Sequence, residues 1–234
     1  MQDAGKKVYN TDTISGQRDC TSGNIIVKKY KLLTHINIAF NHIDCNCGVR
    51  KRATRIVGGQ ETGVNEFPWM VRVVLWNETI GKWEKCGGSI ISNQHILTAA
   101  HCTAGGTTSN LMVHLGEHDT TDPVADIRTI SAITDHPDYG AEKNDYAYDI
   151  SILTLSSPIT FSRTMAPVCL PSYDWKLFEG ELATVTGWGT TSYEGFSLGK
   201  LMKVDVTVTS YSVCNNAYEG IKFPWGTVFG KIME

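Results

Sequence analysis

With 234 residues, 41% hydrophobic and 19% charged, the chain has the composition of a soluble globular protein with room for one large domain or two small ones. A formal net charge of −3 argues against a nucleic-acid surface, because the dense basic cluster Arg50-Lys51-Arg52 with Arg55 is too short to make a binding face. No apolar run is long enough to span a bilayer, and Met1-Gln2-Asp3-Ala4-Gly5 does not open a signal peptide.

In chain order, residues 1–55 read as an N-terminal propeptide or linker region. The apolar stretch from Ile25 to Ile43 has no clean period, which leaves the end of an upstream module and a plain linker both open. From Ile56 onward the signals are β. Trp69 to Trp76 is a dense apolar run interrupted by Arg72. Ser89-Ile90-Ile91 and Ile96-Leu97-Thr98 flank the polar turn Ser92-Asn93-Gln94-His95, a hairpin pattern. Leu111–Leu115, Ile127–Ile133 and Ile150–Leu155 read as further short strands. Lys203 to Thr209 alternates, with Val204, Val206 and Val208 on one face and Asp205, Thr207 and Thr209 on the other. Many short strands with turn signals and 22 glycines predict an all-β sandwich or barrel, and no stretch has a convincing helical period.

Seven cysteines stand at 20, 45, 47, 86, 102, 169 and 214, an odd number. In an oxidising compartment they pair and at least one is left over. Three clusters carry chemistry. His101 follows Thr98-Ala99-Ala100, small residues that leave room for an imidazole able to take a proton from a hydroxyl and return it to a leaving amine. Asp149 opens the apolar run Ile150-Ser151-Ile152-Leu153, where a carboxylate needs hydrogen-bond partners; Asp145 competes for the same role. Arg55 leads into Ile56-Val57-Gly58-Gly59, a pattern that turns the basic cluster into a proteolytic cleavage zone rather than a solvated linker. Ser89, in a Gly-Gly-Ser strand entry, is not a nucleophile candidate. Asn77-Glu78-Thr79 fits a glycosylation acceptor, and Glu117-His118-Asp119 reads as a polar turn. His101-Cys102 lacks two further ligands at zinc spacing.

Arg55-Ile56-Val57-Gly58-Gly59, Thr98-Ala99-Ala100-His101-Cys102 and Asp149-Ile150-Ser151-Ile152-Leu153 together resemble a trypsin-like serine protease of the chymotrypsin family, peptidase S1. Phe67-Pro68-Trp69, Cys86-Gly87-Gly88-Ser89 and Gly187-Trp188-Gly189 match further family signatures, so the resemblance covers residues 47–218. It implies an all-β, trypsin-like double β-barrel, hydrolysis of peptide bonds by acyl transfer, His101 as general base, Asp149 as its orienter, and no metal or organic cofactor. It implies a secreted zymogen cut between Arg55 and Ile56 by an activating protease, with a protein or peptide as substrate. It also implies disulfides Cys86–Cys102 and Cys47–Cys169, with Cys45 an alternative to Cys47. Cys20 and Cys45 are then left to pair with each other, and Cys214 is the odd thiol.

The family's Gly-Asp-Ser-Gly-Gly turn is not in these residues. His101 and Asp149 stand 48 apart, and a second step of about 93 residues would put the serine near residue 242. The first barrel is therefore expected to be complete and the second incomplete, in a partial peptidase domain at 56–218 followed by a tail, 219–234, that does not match. As given, the chain is expected to be inactive. The rival reading is a non-catalytic protease homologue that binds a partner.

Overall fold

The computed structural model describes residues 47–51, 59–124, 126–140, 148–170, 178–190, 197 and 199–217. Cys20, Cys45, Arg55, Ile56, Asp145 and the 219–234 tail lie outside the described residues.

Among the described residues, nine strands form two antiparallel sheets: β1 (Gln60–Glu61), β2 (Met70–Asn77), β3 (Lys82–Ile90), β4 (His95–Thr98), β5 (Leu111–Leu115), β6 (Asp126–Asp135), β7 (Ser151–Leu155), β8 (Leu182–Gly187) and β9 (Met202–Thr207). Six of them close into a barrel in the order β2-β3-β4-β7-β6-β5, and β1-β9-β8 make a three-stranded sheet. The fold class is all-β, as predicted. Closure removes the barrel's edges and lets its interior fill with alternating side chains. Val71, Val73 and Leu75 of β2 meet Val113 of β5 and Leu153 and Leu155 of β7 in one buried cluster.

β2 is apolar along most of its length because both of its faces are covered. Arg72, the charge in that run, is buried against Glu117, whose Oε1 accepts from Nη2 at 2.5 Å. Burial pushes the Glu117 carboxyl up, and the adjacent Arg72 guanidinium opposes that push. Gly88 sits where β2, β3 and β4 converge. A Cβ there would lie 3.0 Å from both Ile96 Cγ2 and Val71 Cγ2, so Gly88 lets neighbouring strands close up.

The hairpin over residues 89–97 is present, with Ser89 opposite Leu97 and Ile90 opposite Ile96. Beyond the sequence expectations lie β1, β8, the outer half of β3 and a helix. β3 extends back to Lys82 through mostly exposed residues, Trp83 among them, that carry no apolar alternation. A short helix, α1 (Tyr211–Ala217), follows β9. Ser210 precedes it and its Oγ accepts from the Val213 N–H at 3.3 Å, a capping signal legible in Ser210 itself.

Candidate active site

β4 and β7 are antiparallel neighbours, with Thr98 opposite Ser151. His101 lies three residues beyond Thr98 and Asp149 two before Ser151, so this one pairing carries both side chains to the same end of the barrel. The chain leaves β4 into a 3-10 turn over Ala100–Cys102. Ala100 is buried in that turn while His101 projects outward with 59% of its side chain exposed.

Asp149 engages His101 with both oxygens. Oδ1 accepts from the His101 backbone N–H at 2.8 Å, and Oδ2 lies 2.7 Å from ring Nδ1. Backbone and ring are therefore fixed by one carboxylate, itself only 23% exposed. In the neutral ring this bond places the proton on Nδ1 and the lone pair on Nε2. Nε2 is not bare: the Cys102 Sγ lies 3.3 Å away.

Two supports of this pair were not expected from the sequence. Thr103 Oγ1 sits 2.8 Å from Ala100 O and 2.7 Å from Asp135 Oδ1, tying the back of the 3-10 turn to β6. Tyr148, just before Asp149, has φ of 59°, a conformation uncommon for a non-glycine residue. Its ring stacks on His136 at 4.6 Å, and the Ile150 N–H donates to Tyr148 O at 2.7 Å. A Thr just after the turn and an aromatic just before the aspartate are the only sequence traces of these supports, and neither is specific.

The Cys86–Cys102 disulfide joins the turn to β3 with a Cα–Cα separation of 6.0 Å. His101 and the two sulfurs lie close together, but sulfurs bonded to each other are not thiolates, so the trio is not a metal-binding set. Cys47 bonds Cys169, and Cys214 is a buried free thiol. Glu117, His118 and Asp119 turn to separate partners: Glu117 to Arg72, His118 Nε2 to Glu61 at 3.1 Å, and Asp119 Oδ1 to the Thr121 N–H at 2.9 Å. Asn77 Oδ1 accepts from the Thr79 and Ile80 N–H groups, and its Nδ2 donates to Glu84 Oε1 at 3.0 Å.

The model of the family described as Trypsin matches residues 56–227, well over half of the sequence. The chain belongs to the trypsin family of serine proteases. Among its relatives, Venom serine protease 34 of Apis mellifera is 36% identical over 185 residues, covering 76% of this chain and 45% of that protein. Proclotting enzyme of Tachypleus tridentatus is 33% identical over 190 residues, covering 74% of this chain and 49% of that protein. The chain thus spans about half the length of these two relatives. A solved structure described as "Structure of GrC" is 29% identical, with a TM-score of 0.63 and 70% of each chain covered. Among the described residues no helix is long and apolar enough to cross a membrane.

Proposed function

We propose that this chain supplies the base and orienter of a serine endopeptidase. His101 takes the proton of an attacking hydroxyl through Nε2 and returns it to the leaving amine. Asp149 holds the Nδ1 proton and stabilises the imidazolium that forms. The observation that carries this reading is the double engagement of His101 by Asp149, at 2.8 and 2.7 Å, on the rim of a closed barrel. No Gly-Asp-Ser-Gly-Gly turn occurs in these 234 residues, so the nucleophile is not among them.

The same reading makes Arg55–Ile56 the bond cut on activation by another protease, a protein or peptide the substrate, and secretion the route of the whole protein. The Cys47–Cys169 and Cys86–Cys102 disulfides fit an oxidising compartment. Asn77-Glu78-Thr79 at the tip between β2 and β3 is then a glycosylation acceptor.

A chimera tests the roles. The residues after Tyr218 are replaced by a family member's stretch that carries a Gly-Asp-Ser-Gly-Gly turn, and the product is cut at Arg55. It is expected to hydrolyse peptide esters, and His101→Ala is expected to cost on the order of 10⁴-fold or more in kcat. A folded chimera whose activity survives His101→Ala would remove His101 from the mechanism.

A further inference from the structure

The Glu66 carboxylate is 1% exposed and is shared by three segments of the chain. Lys203 Nζ of β9 donates to both of its oxygens at 2.8 Å, and the Gly63 N–H donates to Oε2 at 2.9 Å. The third donor is Arg50, which reaches Oε1 with Nε at 2.7 Å and also with Nη2. The Arg50 guanidinium lies over the Phe67 ring, 4.7 Å from its centroid.

Arg50 belongs to a segment that touches the body at four of its five described residues. Cys47 is bonded to Cys169. The Gly48 N–H donates to Pro167 O at 2.8 Å, and the Lys51 N–H donates to Glu66 O at 3.1 Å. Gly48 has φ of +68°, and a Cβ on it would lie 2.9 Å from Cys169 Sγ, so glycine is what lets the segment lie flat against the disulfide. Only the Cys47 link is covalent. Arg55 follows Lys51 by four residues, so every one of these contacts is on the N-terminal side of the Arg55–Ile56 bond.

We propose that Glu66 and Phe67 form a docking site for the basic segment 47–51, which holds that segment on the body independently of the disulfide. Lys203 makes the site durable. It neutralises Glu66 whether or not Arg50 is present, so an empty site carries no unpaired buried charge. Arg50 adds a planar, forked donor and a cation over an aromatic face, a combination that lysine does not reproduce. Given the reading of Arg55–Ile56 as the activation bond, the N-terminal piece remains seated after the cut, with charge and disulfide acting in parallel.

Linkage supplies a test on the uncut chain. The Cys47 and Cys169 thiols plus one oxidised glutathione give the protein disulfide and two reduced glutathiones, two electrons passing from the protein to glutathione. Docking keeps Cys47 beside Cys169 and raises the equilibrium constant for that exchange. In a series of glutathione buffers, with acid quench, alkylation and peptide mass spectrometry, Arg50→Ala should lower the Cys47–Cys169 constant by about tenfold, the size of one charge-assisted hydrogen bond. Arg50→Lys should recover only part of the loss, and the Cys86–Cys102 constant should stay fixed. An unchanged Cys47–Cys169 constant in Arg50→Ala, or an equal shift at both disulfides, would overturn the docking site. Neither result bears on whether Arg55 is cut, which the appearance of an Ile56 amino terminus decides separately.

Discussion

At the scale of single residues, buried charge is answered unequally: Arg72 Nε and Glu117 Oε2 are buried without a hydrogen-bond partner among the described residues, whereas the Glu66 carboxylate takes donors from three residues. Burial pushes its carboxyl upward, but the hydrogen bonds from Lys203, Gly63 and Arg50 together win and hold it below the ordinary glutamate range. A carboxyl depressed on folding contributes stability that is fully present above its unfolded pKa and is lost as pH falls through its folded one. Denaturation of the wild-type chain followed by fluorescence should therefore steepen below pH ~4, and Glu66→Gln should flatten that limb. Glu66→Ala leaves Lys203, 6% exposed, without its carboxylate and is expected to cost about 3–5 kcal/mol in urea unfolding. A cost near zero would mean that the Lys203 ammonium finds water or another partner.

At the scale of elements, the His101 turn is secured mostly by what lies beside it. The Cys86–Cys102 bond spans 16 positions, and closing a loop of that size is worth roughly 3 kcal/mol in the chain-entropy model. The double variant Cys86→Ala with Cys102→Ala should lose about that much in urea unfolding, while Leu153→Ala in the barrel interior should lose about 2–5 kcal/mol. β5 and β7 were legible because each is short, apolar and bounded by turn residues. The hairpin of β3 and β4 was legible from its polar turn. The outer half of β3 was not, because its residues from Lys82 to Lys85 face water and have no apolar period. The seven-residue α1 is too short for a period to show at all. His101 and Asp149 were readable as motif residues. The strained Tyr148 and the Thr103–Asp135 contact were not, because they are properties of backbone geometry and of cross-strand neighbours rather than of local pattern.

At the scale of the whole molecule, a closed barrel carries the His101–Asp149 pair, while the second sheet holds three strands among the described residues. The 234-residue polypeptide, uncut or cut at Arg55, is expected to show no labelling by a serine-directed phosphonate and no burst with peptide esters, since it carries no Gly-Asp-Ser-Gly-Gly turn, and Ser197, flanked by Gly195 and Gly199, donates its O–H to Trp188 O at 2.7 Å. The proposed orienting of His101 by Asp149 depends on the barrel alone and is open to direct measurement in this same polypeptide. Nuclear magnetic resonance of the chain labelled with ¹⁵N-histidine reports which ring nitrogen of His101 carries the proton. A strongly downfield, exchange-protected Nδ1 proton is expected on His101, one that disappears in Asp149→Asn and persists in Asp145→Asn. A His101 proton found on Nε2 in the neutral ring, or a signal lost in Asp145→Asn and kept in Asp149→Asn, would contradict it.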